Sequence, residues 1–512
     1  DDLVTGQTYL TGAANAIDAY GAWDITTGAS TTVVAVVDTG YRPHADLTGR
    51  LLPGYDFIRD PAVANDGDGR DADASDPGDW VTPAEAGTDL FKGCDARNSA
   101  WHGTGVAGII AANTDNRAWV AGIDWQAKIL PVRVLGKCGG YTSDIIDGIA
   151  WASGLSVPGA PVNVTPADVI NLSLGGPGSC SPAERNAIAA ALAFGHTKAI
   201  VVAAGNERED AGNHAPANCP GVITVASTTT AGMLAIYSNY GSTITLSAPG
   251  GQYAPDEGLD GILVLSNAGR TTPTTDSFRD RGGTSFAAPM VSGVVALMLA
   301  VNAKLDPDQI RSLLLATSRP FPLESSCATA ICGAGIVDAR AAVAAAQATA
   351  VPAGTVGVIE YYNASLDHYF ITWIAGEIAA LDAGTLIRGW QRTGVIFSVY
   401  PGGRSGSSPV CRFYIPPAYG NSHFFGRGTD ECGETTMRNP AFVLESAEFM
   451  DVVLPLGGVC PAGTQPVYRV FSNRPDVNHR YMTDSAIRDQ MVARGWLAEG
   501  DGPDRVVMCS PR

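Results

Sequence analysis

A chain of 512 residues with 45% hydrophobic and 16% charged side chains is too long for one ordinary core and too apolar to be disordered. A folded protein of two or more domains is expected. Its formal net charge of −18 repels phosphate backbones and anionic lipid, which excludes nucleic acid and membrane as expected partners.

In chain order, the sequence opens on Asp1 and Asp2, the opposite of a basic signal-peptide start, so a mature, processed form is expected. Short runs rich in Val and Ile follow at 33–37, 129–134, 169–174, 200–204 and 222–226. Apolar runs without alternation suit strands covered on both faces of a parallel sheet. Between them lie helix-like stretches at 103–113, 143–153 and 181–194, the last opening on a Ser-Pro-Ala-Glu cap pattern. Strand and helix alternating in this way predict an α/β layered fold with a mostly parallel sheet. The apolar run 286–300 is broken by Pro289, Ser292 and Gly293 and is too short to cross a bilayer, so it reads as a buried helix. An Ala-rich helix at 338–350 and a linker at 351–355 divide the chain into domains 1–350 and 351–512.

Beyond the linker, composition shifts toward Tyr, Phe, Trp and Arg, which predicts a smaller β-rich C-terminal domain with a threefold internal repeat. An aromatic strand start recurs around Tyr361, Phe413 and Tyr468, and a His with aromatic neighbours follows at His368, His423 and His479. Gly389-Trp390 and Gly495-Trp496 mark the later part of the first and third units. The three histidines are expected to anchor turns rather than to ligate metal or catalyse. The aromatics suit ordinary core or, alternatively, a module that binds substrate or a surface.

Ten cysteines without CxxC or Cys/His zinc spacing fall in neighbouring couples: Cys94 and Cys138, Cys180 and Cys219, Cys327 and Cys332, Cys411 and Cys432, Cys460 and Cys509. Sequential pairing into five disulfides is the simplest expectation and points to an oxidising compartment.

Three residues carry chemistry. Asp38 ends the first apolar strand, His102 opens an apolar helical run at His-Gly-Thr-Gly, and Ser285 sits where a glycine turn enters the broken apolar helix. Singly, an Asp after a strand is a turn residue and a Ser before a helix is a cap. Together they supply what a weak hydroxyl nucleophile needs: an imidazole to take its proton and a carboxylate to orient that imidazole.

Asp38-Thr39-Gly40, His102-Gly103-Thr104-Gly105 and Gly283-Thr284-Ser285-Phe286-Ala287-Ala288-Pro289 resemble the three signatures of the subtilisin family of serine peptidases, over roughly residues 1–345. The resemblance implies a subtilisin-like three-layer fold and a secreted, extracellular, monomeric serine endopeptidase. It implies protein or peptide substrates and an N-terminal propeptide that has been removed. Ala203-Ala204-Gly205-Asn206-Glu207 resembles the segment that gives the family its oxyanion-hole asparagine, here Asn206. Ser173, Leu174 and Gly175 resemble one wall of the substrate cleft, and Gly139 and Gly140 the facing edge. A substrate strand laid between such edges is held through main-chain bonds, which implies broad specificity. Glu207 is expected near the S1 pocket, where it would favour basic side chains, or else in solvent.

Residues 65–76 place carboxylates at alternate positions on glycine turns, the oxygen-rich pattern that hard cations use. Calcium is expected there, with Asp60, Asp66, Asp68, Asp71 and Asp73 as ligands. The family resemblance implies a second calcium site at Asp46 and Asp115.

Overall fold

The computed structural model describes the chain apart from residues 2, 14, 194–195, 253–260, 350–351, 353, 385–386 and 512. Phe194, the last residue of the predicted helix 181–194, and positions 350, 351 and 353 of the expected boundary lie outside the described residues. Contacts divide the chain into units Asp1–Gln347 and Ala348–Arg512.

The Val- and Ile-rich runs of the first unit form strands because both of their faces are covered. In chain order the strands up to residue 249 are β1 (Val33–Asp38), β2 (Tyr55–Asp56), β3 (Lys128–Arg133), β4 (Val169–Leu172), β5 (Gly176–Pro177), β6 (Ala199–Ala203), β7 (His214–Ala215), β8 (Ile223–Thr228) and β9 (Leu246–Pro249), with the apolar runs at β1, β3, β4, β6 and β8. Seven of them make one parallel sheet in the order β2-β3-β1-β4-β6-β8-β9. Side chains alternate across it. Val34 and Val36 join a core with the helices His102–Ala111 and Thr284–Val301. Ala35 and Val37 face a second core with Ile149 and Trp151 of helix Thr142–Ala152, and Ile188 and Ala191 of helix Pro182–Ala193. Helix, sheet and helix give three layers, as the alternation predicts.

Helix Thr284–Val301 is 18 residues long and apolar enough to match a membrane span, yet 83% of it is buried inside the protein. It is the central core helix, and it packs on β4, β6, β8 and β9. Outside the sheet, β10 (Ile262–Asn267) and β11 (Asp276–Arg281) form an antiparallel hairpin that the apolar-run pattern does not mark, because β11 is charged and only half-buried. The edge strands β2 and β9 are likewise missed, being only 2 and 4 residues long.

Among the described residues, the second unit holds three antiparallel sheets. Their central strands are Val356–Asn363, Ser408–Ile415 and Thr464–Phe471. In each, a hairpin partner follows (His368–Thr372, Ser422–Arg427, His479–Met482), then a helix (Ala375–Ala383, Gly428–Arg438, Ser485–Ala493) and a third strand. Strand, strand, helix, strand thus occurs three times in order. Tyr361, Phe413, Phe425 and Tyr481 are fully buried, as ordinary core.

His368 and His479 are buried, with Asp476 and Glu499 at 3.3 and 3.6 Å from their Nε2 atoms, and His423 has Glu445 at 3.3 Å. Burial, with Arg469 adding, holds the His479 pKa well below the usual imidazole range. Burial and Arg412 together bring His423 down to about 4.

All five disulfides pair sequentially, as expected: Cys94–Cys138, Cys180–Cys219, Cys327–Cys332, Cys411–Cys432 and Cys460–Cys509.

Candidate active site

β1 delivers Asp38 to the carboxyl end of the sheet, where the chain leaves the layer and a side chain can face a cleft. The Asp38 side chain is completely buried and accepts a 2.7 Å hydrogen bond from the Thr39 amide. His102 opens its helix directly opposite, with Nδ1 at 2.8 and 2.9 Å from the two Asp38 oxygens. The fit depends on Gly103. A Cβ there would lie 2.1 Å from the Gly40 carbonyl oxygen, so only glycine lets the helix start against the Asp38 loop. The hydroxyl of Thr39 receives the Gly103 amide at 3.1 Å and donates to Asp76 at 2.8 Å. Burial, with Asp79 adding and several donors opposing, pushes the Asp76 carboxyl up to about 6.

Burial alone would pull the His102 imidazole down. The charge and hydrogen bond of Asp38, with a contribution from Asp79, outweigh it, and the pKa is raised above the usual value.

Ser285 stands in the first turn of the core helix, following Gly283 at the cap. Its Oγ donates to the Ser173 carbonyl at 3.3 Å, and Ser173 Oγ donates to the Ser285 carbonyl at 2.7 Å. The same hydroxyl of Ser173 receives Asn171 Nδ2 at 2.9 Å, so the wall strand and the helix start are tied together.

Thr284 holds the Asn206 side chain through its oxygen. Asn206 Oδ1 accepts from the Thr284 amide at 2.9 Å and from Thr284 Oγ1 at 3.0 Å. Among the described residues, its Nδ2 is left as the unspent donor beside the start of the Ser285 helix.

A cavity of about 700 Å³ runs past His102 between two edges. Gly139 and Gly140 line one, and Ser173, Leu174 and Gly175 line the other. The β5–β7 pair and Pro216 close one end, and Cys138, in the disulfide with Cys94, stiffens the rim. All five residues expected to touch substrate therefore face one cleft. Glu207 is absent from its lining. Its carboxylate turns back to accept from the Asn206 amide and from Asn239 Nδ2, both at 2.8 Å, and lies 3.5 Å from His214 Nδ1. Of the two places expected for Glu207, the structure gives the exposed one, with 49% of its side chain in solvent.

The seven carboxylates expected to bind calcium lie apart from one another in this structure. Asp66 pairs instead with Arg133, whose guanidinium sits between Asp66, the buried Asp56 and the Ala64 carbonyl. Asp60 caps the short helix Pro61–Ala64, and Asp71 and Asp73 accept backbone amides two residues on, at 2.7 and 2.9 Å. Asp66 Oδ1 faces the amide of the exposed Asp68. Asp46 receives Asn116 Nδ2 at 2.6 Å and the Val120 amide at 3.2 Å, while Asp115 is exposed. Among the described residues, no three of these seven carboxylates converge within 4.8 Å. Asp66 is thus given to a buried arginine, and Asp60, Asp71 and Asp73 each place one oxygen in a tight turn or cap.

The pattern of the subtilase family matches residues 29–348, and that of a domain of unknown function (DUF5648) matches 338–450 and 456–503. An extracellular protease of Xanthomonas campestris pv. campestris is 49% identical over 348 residues, covering 68% of this chain and 57% of its own length. An extracellular basic protease of Dichelobacter nodosus is 42% identical over 325 residues, covering 63% of this chain and 52% of its own length. The chain thus spans little more than half the length of these relatives. A solved structure of a protease from Pseudoalteromonas arctica superposes with a TM-score of 0.64 at 52% identity, covering 68% of this chain and 98% of that one.

Proposed function

Because the chain belongs to the subtilase family, we propose that it is an extracellular serine endopeptidase acting through an acyl-enzyme on Ser285. The observation that carries this reading is the pair of contacts from the fully buried Asp38 to His102 Nδ1, with the His102 ring 5.4 Å from that of Phe286 in the first turn of the Ser285 helix. With Nδ1–H committed to Asp38, the other ring nitrogen is the one able to take a proton. His102 takes it from Ser285 Oγ as that oxygen attacks the peptide carbonyl, and Asp38 stabilises the imidazolium that results. Asn206 Nδ2 and the Ser285 amide stabilise the negative carbonyl oxygen. His102 then protonates the departing amine, and water repeats the sequence to release the acid.

Substrate lies along the main chain of 139–140 and 173–175, which supports broad specificity, and the names of the relatives support secretion. Subtilases commonly bind calcium, but the separated carboxylates of this chain do not fit a carboxylate-lined site, and no step is routed through a metal.

The test is labelling with a serine-directed fluorophosphonate and hydrolysis of casein. Both are expected in the wild type and lost in Ser285→Ala. Casein hydrolysis that survives in Ser285→Ala would overturn the assignment.

For the second unit we propose a substrate-retaining role. A cavity of about 330 Å³ lined by Tyr362, Tyr369, Trp496, Arg474 and Arg494 supports it, since aromatic faces beside guanidinium groups suit a polymer surface. Arg494 is exposed, so Arg494→Ala is expected to fold normally. It should lower binding of the full chain to insoluble protein substrates without altering hydrolysis of soluble peptides; unchanged binding would end that reading.

A further inference from the structure

We propose that Asn239 is a positioning residue for Asn206, setting where the oxyanion-hole amide stands. This rests on the peptidase reading above. Asn239 lies 33 residues beyond Asn206 in the chain and is completely buried. Every polar group of its side chain is spent on the segment that carries Asn206. Nδ2 donates to the Ala204 carbonyl at 3.0 Å and to Glu207 Oε2 at 2.8 Å. Oδ1 accepts from the Glu207 amide at 3.1 Å and the Glu209 amide at 2.9 Å. The Asn239 backbone amide adds a bond to the Gly205 carbonyl at 2.9 Å. One residue therefore clamps both flanks of Asn206.

Two further features make this clamp specific. Gly205 has φ +105°, and a Cβ there would stand 2.3 Å from Asn239 Nδ2, so the loop is shaped to admit the amide. Glu207 Oε2 accepts from Asn239 and from the Asn206 amide at once, which links the buried clamp to the backbone of Asn206 itself. From the other side, Thr284 holds Asn206 Oδ1 at 2.9 and 3.0 Å. The thrust of Nδ2 is thus fixed between a helix start and a buried amide. An oxyanion donor stabilises the transition state only when it is already aimed at the place where charge develops, and small displacements cost large factors in rate.

An aspartate at 239 keeps the two acceptor bonds, loses both donors, and sets a second carboxylate against Glu207. The experiment uses the full chain, counts active sites with a fluorophosphonate, and measures kcat and KM on a peptide nitroanilide. The variants are Asn239→Asp, Asn239→Ser and the surface change Glu207→Ala, each alone and combined with Asn206→Ala. The affinity of a peptide aldehyde, which mimics the tetrahedral species, is measured in parallel.

The expected result for Asn239→Asp and Asn239→Ser is a fall in kcat of about 10- to 100-fold per titrated site, with KM within about twofold and aldehyde affinity falling in step. In the Asn206→Ala background the same changes are expected to cost less than about twofold, because the group they aim is gone. Glu207→Ala, which removes one leg of the clamp without threatening the core, is expected to lower kcat by a smaller factor in the same pattern. An unchanged kcat per titrated site, or equal losses in both backgrounds, would show Asn239 to be a structural residue only. Absence of fluorophosphonate labelling in the wild type would instead overturn the peptidase reading, and this assignment with it.

Discussion

The carboxylate of Asp38, with no exposed surface, meets Nδ1 of His102 through both of its oxygens, at 2.8 and 2.9 Å. The contact fixes the tautomer of the imidazole and gives the imidazolium of the proposed mechanism a buried counter-charge. Asp38→Asn is expected to lower kcat by about 10⁴-fold while leaving KM nearly unchanged, the scale known for this change in another serine peptidase. Steady-state kinetics on titrated enzyme checks it.

The raised pKa of His102 sets a pH dependence. The imidazole must be neutral to accept a proton, so kcat/KM rises with pH through that pKa, with a midpoint above the ordinary value of about 6.5. Asp79 raises the pKa by its charge and Arg281 lowers it. Asp79→Asn is therefore expected to move the acid limb to lower pH, and Arg281→Gln to higher pH. Profiles of kcat/KM against pH decide the signs.

Much of this site is legible in the chain. Asp38 and His102 fall where a strand ends and a helix begins, and apolar runs mark both elements. The cysteines pair in sequential order, the simplest of the connectivities that the sequence leaves open. The acidic stretch 65–76 shows the limit of such reading. Its spacing suits a cation, and the cation the fold brings there is the guanidinium of Arg133, from β3, more than 55 residues away.

That guanidinium gives a stability prediction. Burial pushes Asp56 up to about 7 against the opposing charge of Arg133, and Asp56 has no exposed surface. Arg133→Met leaves that carboxylate buried without its partner and is expected to cost about 3–5 kcal/mol. Asp66→Asn is expected to cost less, since Asp66 keeps 25% of its side-chain surface exposed. Urea unfolding in a Ser285→Ala background, which prevents self-digestion, measures both. The cost is expected to be the same with calcium or with EDTA.

Asp124 supplies a second test. It is fully buried, Oδ1 accepts the Gln126 and Ala127 amides at 2.8 Å, and Oδ2 has no partner among the described residues. Burial raises its pKa from 3.8 to about 6, against those two bonds. The folded chain therefore holds this proton more tightly than the unfolded chain. The stability this contributes is complete below about 3.8 and is lost as pH rises through about 6. Asp124→Asn removes the titration, so its melting temperature is expected to fall less than the parent's between pH 4 and pH 7. Parallel drops in both proteins would refute this.

The layered α/β domain and the Asp38–His102–Ser285 set are legible in the chain, whereas the cleft edges rest on the family resemblance and the disulfide couples on the simplest of several possible pairings. The domain and the set are written in local pattern: a run's apolarity, a turn's glycines, an order along the chain. The tertiary structure alone decided that Glu207 turns away from the cleft, that Arg133 fills the acidic loop, and that Asn239 clamps the segment around Asn206. Those outcomes depend on which side chains from distant segments reach the same few ångströms of buried space. Hydrogen bonds and charges select their partners there by distance and desolvation, neither of which is recorded in the spacing of residues.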